Sequence, residues 1–96
     1  MAVGDVFSGF SSQLSTGQRF TALPAAAGQA VIHNLYGERD FTVEVYDGTN
    51  VIAHSTYAGP IWIQALQVHC TTAYYLRILN SSTGAQYVAF DGIVTK

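Results

Sequence analysis

The chain reads as an all-β protein: a single antiparallel β-sandwich, jelly-roll or immunoglobulin-like, with an extended N-terminal arm. Three observations predict this. From Gly28 onward the text breaks into short runs rich in Val, Ile, Tyr, Phe and Thr, each closed by Gly, Asn, Asp or Pro. The connections between runs are hairpin-short, so no helical crossover is available to make a parallel sheet. Alternating apolar and polar positions, as in Phe41-Thr42-Val43-Glu44-Val45, mark strands with one buried face.

Residues 1–27 read as the arm and residues 28–96 as the sandwich domain. The arm is dominated by Ser, Thr, Gln, Gly and Ala, with Phe7, Phe10, Leu14 and Phe20 spaced along it. Val6, Phe7, Phe10 and Leu14 fit one helical face with Asp5 as a cap, although Gly9 and the serines oppose an isolated helix. The arm either grips a partner or covers one end of the domain's own core. Leu23-Pro24 favours extended backbone and leads into the first strand.

Six runs follow, at 29–36, 41–46, 50–57, 61–69, 73–79 and 85–90, with a seventh at 93–95. Asp47-Gly48 between two runs predicts a tight hairpin, because glycine supplies the positive φ such a turn needs. Phe90-Asp91-Gly92 repeats the signal of Tyr46-Asp47-Gly48 and reads the same way. Glu38, Arg39 and Asp40 mark a wet turn. In 61–69 the apolar residues occupy odd positions through Ile63 and even positions from Leu66, so the expectation near Gln64 is a β-bulge or bend, or a strand whose two faces bury against different neighbours along its length.

With 96 residues there is room for one core. A chain of this size buries only about 60 to 65% of its unfolded surface, which makes a partner subunit a natural source of further stability. Only 10% of residues are charged while 49% are hydrophobic, and the net charge is −2. Such a composition opposes disorder. Four Lys and Arg residues are too few for nucleic-acid binding. No long apolar stretch suggests a membrane span, and no basic region followed by an apolar core suggests secretion, so the expectation is a cytosolic product. Cys70 has no partner for an internal disulfide and reads as a small buried hydrophobe.

Chemistry motifs are lacking. His33, His54 and His69 have no ligand-spaced companions, so no metal is expected and each histidine reads as a strand side chain bonded to nearby backbone. No nucleophile elbow and no phosphate-binding glycine loop occur, so neither an enzyme nor a cofactor is expected. The carboxylates Glu38, Asp40, Glu44, Asp47 and Asp91 read as solubilising charges. Asn80-Ser81-Ser82 matches a glycosylation acceptor but reads as a turn. The positive signal is surface chemistry: six tyrosines and one tryptophan, with 25 Ser, Thr, Asn and Gln against ten charged residues, suit a wide neutral protein contact.

Val31-Ile32-His33-Asn34-Leu35-Tyr36, Val45-Tyr46-Asp47-Gly48-Thr49-Asn50, Tyr75-Leu76-Arg77-Ile78-Leu79-Asn80 and Asp91-Gly92-Ile93-Val94-Thr95-Lys96 together resemble the head decoration, or cement, proteins of tailed bacteriophages. The resemblance covers roughly residues 24–96. It implies a structural virion protein on the capsid exterior, made in the bacterial host cytoplasm. Its partners would be the major capsid protein and itself, as a dimer or trimer, with no nucleic acid and no membrane. On this reading Phe7, Phe10, Leu14 and Phe20 are arm anchors on the capsid, and Tyr57 and Trp62 are oligomer contacts. The alternative is a carbohydrate- or receptor-binding module of a phage tail or spike, with Trp62 as a stacking platform.

Overall fold

The computed structural model describes residues 2–64 and 66–96. Among the described residues nine strands form, all antiparallel in their pairings: β1 (Val6–Phe10), β2 (Arg19–Ala22), β3 (Gln29–Gly37), β4 (Phe41–Tyr46), β5 (Val51–Tyr57), β6 (Ile61–Ile63), β7 (Val68–Thr71), β8 (Tyr75–Asn80) and β9 (Val88–Val94). A front sheet has the order β1-β9-β3, with β6 and β7 both along the far side of β3. A back sheet has the order β2-β8-β4-β5.

The winding decides between the two sandwich types. β1 pairs with β9, β2 with β8, β3 with β6 and β7, and β4 with β5, which is one long hairpin folded back on itself. Rolling that hairpin brings β3 beside β9 and β4 beside β8, closing two sheets. This is the jelly-roll winding.

Between the sheets lie the inward side chains of alternate residues. Phe41, Ile32, Leu35, Leu76, Ile78 and Val88 are the largest fully buried apolar ones. Cys70 lies among them without exposure, as its sequence context suggests. The β4–β5 hairpin forms where Asp47-Gly48 predicts it. Gly48 takes φ 94°, and the Asp47 carboxylate accepts from the backbone N–H of Thr49 at 2.8 Å and Asn50 at 2.6 Å.

The parity change in 61–69 is a break between strands. Ile63 faces Leu35 and Val68 faces Ile32, so four residues on this side span two on β3. Ile61 and Ile63 then point inward at odd positions, and Val68 and Cys70 at even ones. Ala65, inside this run, lies outside the described residues.

The N-terminal segment departs from its expected role as an arm. β1 completes the front sheet and β2 the back sheet, with no helix at 5–14. Phe7 and Leu14 are buried, and Leu14 bridges to Gln86. The rings of Phe7 and Phe20 both lie against Phe90, at 5.1 and 5.8 Å between centroids. Of the two roles considered for these aromatics, covering the domain's own core is the one the structure displays. The polar residues between them satisfy backbone groups: Ser11 Oγ accepts from the N–H of buried Val88.

Asp91-Gly92 also departs from its turn reading, since both residues lie inside β9. Strand β3 carries an extra residue opposite them, between Ile32 and Asn34. A Cβ on Gly92 would run into the backbone carbonyl of Val31, so glycine is required here by the close approach of two backbones and not by a turn.

Candidate interaction surface

The outward side chains of the front sheet form three rows running across its strands. One row is Val6, Ile93, Val31 and His69. The opposite one is Phe10, Ala89, Tyr36 and Trp62. Between them Ser8, Asp91 and Asn34 make a polar stripe, in which the Asn34 amide donates to the Asp91 carboxylate. Asp91 is the one charged residue in the three rows.

The aromatic row is exposed but ordered. Phe10 is 69% exposed and Trp62 50%. Phe10 stacks on Tyr87 at 5.8 Å, and Trp62 tilts against Tyr36 at 5.7 Å. Each pairing packs the exposed ring against an aromatic neighbour, which lowers the entropic cost of presenting it. Phe10 and Trp62 stand three strands apart, roughly 14 Å at the usual interstrand spacing. Large apolar side chains exposed on a sheet face in this way make it the candidate interaction surface.

The outer face of the back sheet has a different chemistry. Glu44 on β4 sits between Arg19 on β2 and Arg77 on β8, with N–O distances of 2.8 and 3.3 Å. It is 6% exposed, so its expected role as a solubilising charge on a solvated face is corrected: Arg77 on the adjacent β8 and Arg19, reaching across from β2, pair with it. The hydrogen bond to Glu44 raises Arg19 further above the ordinary guanidinium range. Arg77 lies over the Tyr46 ring, its guanidinium carbon 3.5 Å from the ring centre. The threonines Thr42 and Thr56 share a hydroxyl hydrogen bond of 3.0 Å beside them. This cluster ties β2, β8 and β4 together across the outer face, and it leaves Arg77 Nε without a partner.

The histidines divide. His33 Nδ1 lies 3.0 Å from the Leu66 carbonyl, the backbone contact its strand position suggests. His69 Nε2 lies 3.2 Å from the Gln29 side-chain oxygen. His54 is exposed on β5. Among the described residues no three His, Cys, Asp or Glu side chains gather as metal ligands would. Burial pushes the Cys70 thiol up to about 11, which keeps it protonated at neutral pH and unsuited to nucleophilic chemistry.

The six residues singled out in the sequence thus fall into two groups. Phe7, Leu14 and Phe20 pack inward and are not free to anchor an arm. Phe10 and Trp62, assigned to separate contacts by the sequence, occupy one row of one face. Tyr57 is half-buried at the end of β5, its ring 5.6 Å from that of Phe41. Sequence reasoning missed Tyr36, Tyr87 and Ile93 as members of this face. Their period-2 positions were legible, but which parity faced outward depended on pairing. The chain matches no protein-family model and shows no significant similarity to a curated protein.

Proposed function

We propose that the chain is a structural virion protein that binds the outer surface of a phage capsid as a homo-oligomer and stabilises the shell. The observation that supports this reading most is the row Phe10, Ala89, Tyr36 and Trp62, an aromatic surface on a sheet face whose three rows carry a single charge, Asp91. A contact of this kind suits a protein partner, since aromatic side chains dominate the energetics of such interfaces. The resemblance to decoration proteins supplies the class of partner.

The mechanism is mass action. A subunit with affinity for the assembled lattice, and none for its dissociated parts, shifts the equilibrium toward the lattice by an amount set by its concentration over its dissociation constant. No bond is made or broken in this activity. The rigid front sheet presents the contact, and the Glu44 cluster on the opposite face holds the sandwich behind it.

Co-sedimentation of the purified protein with expanded phage capsids tests the proposal. Saturable binding that is lost in the Phe10→Ser, Trp62→Ser double variant, with that variant still folded, is the expected result. Binding that ignores the double substitution would remove the front face from the reading. Saturable glycan binding with no capsid binding would transfer the assignment to a receptor-binding module.

A further inference from the structure

The sandwich has four edge positions, and they are guarded unequally. β1 has five residues and contains Gly9, β2 has four and begins with Arg19, and the β6/β7 edge is split into pieces of three and four residues. Short or interrupted edges and edge charges are the usual means of preventing strands from joining. β5 is longer and uncharged, and its one irregularity is a bulge at Ile52, opposite the Val45–Tyr46 step of β4. It runs for seven residues, Val51–Tyr57, with no Lys, Arg, Asp, Glu, Pro or Gly, and every residue except half-buried Tyr57 is exposed.

Only one side of β5 is paired, with β4. Alternate residues therefore turn their backbone N–H and C=O groups away from the protein. Its inner face is also uncovered: a cleft of about 190 Å³ opens there, lined by Val43, Val45, Ala53, Tyr57, Val68 and Leu76 among others. The front sheet does not reach far enough to close it.

We propose that β5 is a self-pairing edge: the β5 strands of two copies join antiparallel about a two-fold axis at His54, making one eight-stranded back sheet. This deepens the proposed function, on which it rests for the role of the dimer, by assigning the surface for self-association. The charge pattern selects a second copy as the occupant. Under a two-fold axis each residue meets itself or its symmetry mate, so a charged strand would repel its own copy, whereas β5 carries no formal charge with His54 neutral. His54 is the midpoint of Val51–Tyr57, so an axis there uses the strand symmetrically. Ala53 then faces Ser55 of the second copy, and the bulge at Ile52 shifts the pairing beyond it. The second strand also lies across the mouth of the apolar cleft, withdrawing its lining from water.

The test is a crosslink at the axis. Directly opposed residues in an antiparallel pair have Cα atoms about 4.5 to 5.5 Å apart, within the span of a disulfide. His54→Cys should therefore form a covalent dimer on mild oxidation, while the unmodified chain, whose Cys70 is fully buried, should not. Light scattering should give twice 10.3 kDa for the native protein, and His54→Lys, which puts two cations at the axis, should weaken association at least tenfold while leaving the far-UV spectrum unchanged. A native monomer, a trimer, or a dimer that neither crosslinks at His54→Cys nor responds to His54→Lys would overturn the proposal. Capsid binding by a monomer would sink this inference alone. A His54-dependent dimer that ignores capsids would sink only the capsid reading.

Discussion

The Asn80 side chain at the end of β8 donates from Nδ2 to the backbone carbonyl of Leu14, 2.9 Å away and 66 residues earlier in the chain. The same amide nitrogen donates to the Gly84 carbonyl at 2.9 Å, and Asn80 Oδ1 accepts from the Gln86 amide at 2.8 Å and from Ser82. Gln86 in turn donates to the Asp40 carbonyl and accepts from the Arg39 N–H. Asn80 and Gln86 are both fully buried. Together they tie the N-terminal segment, the β3–β4 turn and the loop before β9 into one end of the sandwich, so Asn80 in its acceptor-like Asn-Ser-Ser context is a structural residue.

Asn80→Ala should therefore cost on the order of 2 kcal/mol, because it removes one of the two donors to each of the Leu14 and Gly84 carbonyls and one of the two acceptors of the buried Gln86 amide. The urea midpoint should fall with the m-value unchanged. A loss below about 1 kcal/mol would mean that water replaces the side chain.

Removing residues 1–23 should abolish cooperative unfolding. The truncation deletes β1 and β2, exposes the Phe90 ring to water on two sides and opens new edges on β9 and β8. A detachable arm would leave the thermal transition of residues 24–96 intact, so calorimetry separates the two cases.

Glu44→Ala should destabilise by about 2 kcal/mol, since it leaves the mostly buried guanidinium of Arg77 uncompensated while Arg19 can turn to solvent. Arg77 Nε already lacks a partner, so this variant adds to an existing deficit. Glu44→Ala combined with Arg77→Met should recover part of the loss. Chemical denaturation of the three variants and the native chain forms the double-mutant cycle that measures the coupling.

Cys70 gives a pH signature. Its thiol is raised to about 11 by burial, so the folded state favours the protonated form. The contribution to stability is complete below the ordinary thiol range and is lost as pH rises from there through about 11. Alkaline titration of the unfolding free energy should show this decline, and Cys70→Ala should remove that component. At neutral pH the native thiol should be inert to thiol reagents until the protein unfolds.

Much of the sandwich was legible residue by residue. Phe41–Tyr46 appears at the limits its alternation implies, and Asp47-Gly48 turns where it should, because both signals are local and the backbone obeys them without help from elsewhere. The parity change in 61–69 likewise showed the break between β6 and β7. Asp91-Gly92 was misleading because a glycine admits two explanations, a turn or a close backbone approach, and only the neighbouring β3 strand chooses between them.

The sequence by itself determined strand-forming runs, one tight hairpin, a neutral aromatic-rich surface and a single core. Tertiary structure alone decided that residues 6–10 and 19–22 are sheet edges and not an arm, that Phe7 is core while Phe10 is surface, and that Phe10 and Trp62 share one face. The physical reason is the range of the interactions involved. Alternation and turn geometry act over a few residues, whereas the parity that faces the core, and the partner that covers a strand such as β4 or leaves β5 bare, are set by pairings between residues far apart in the chain.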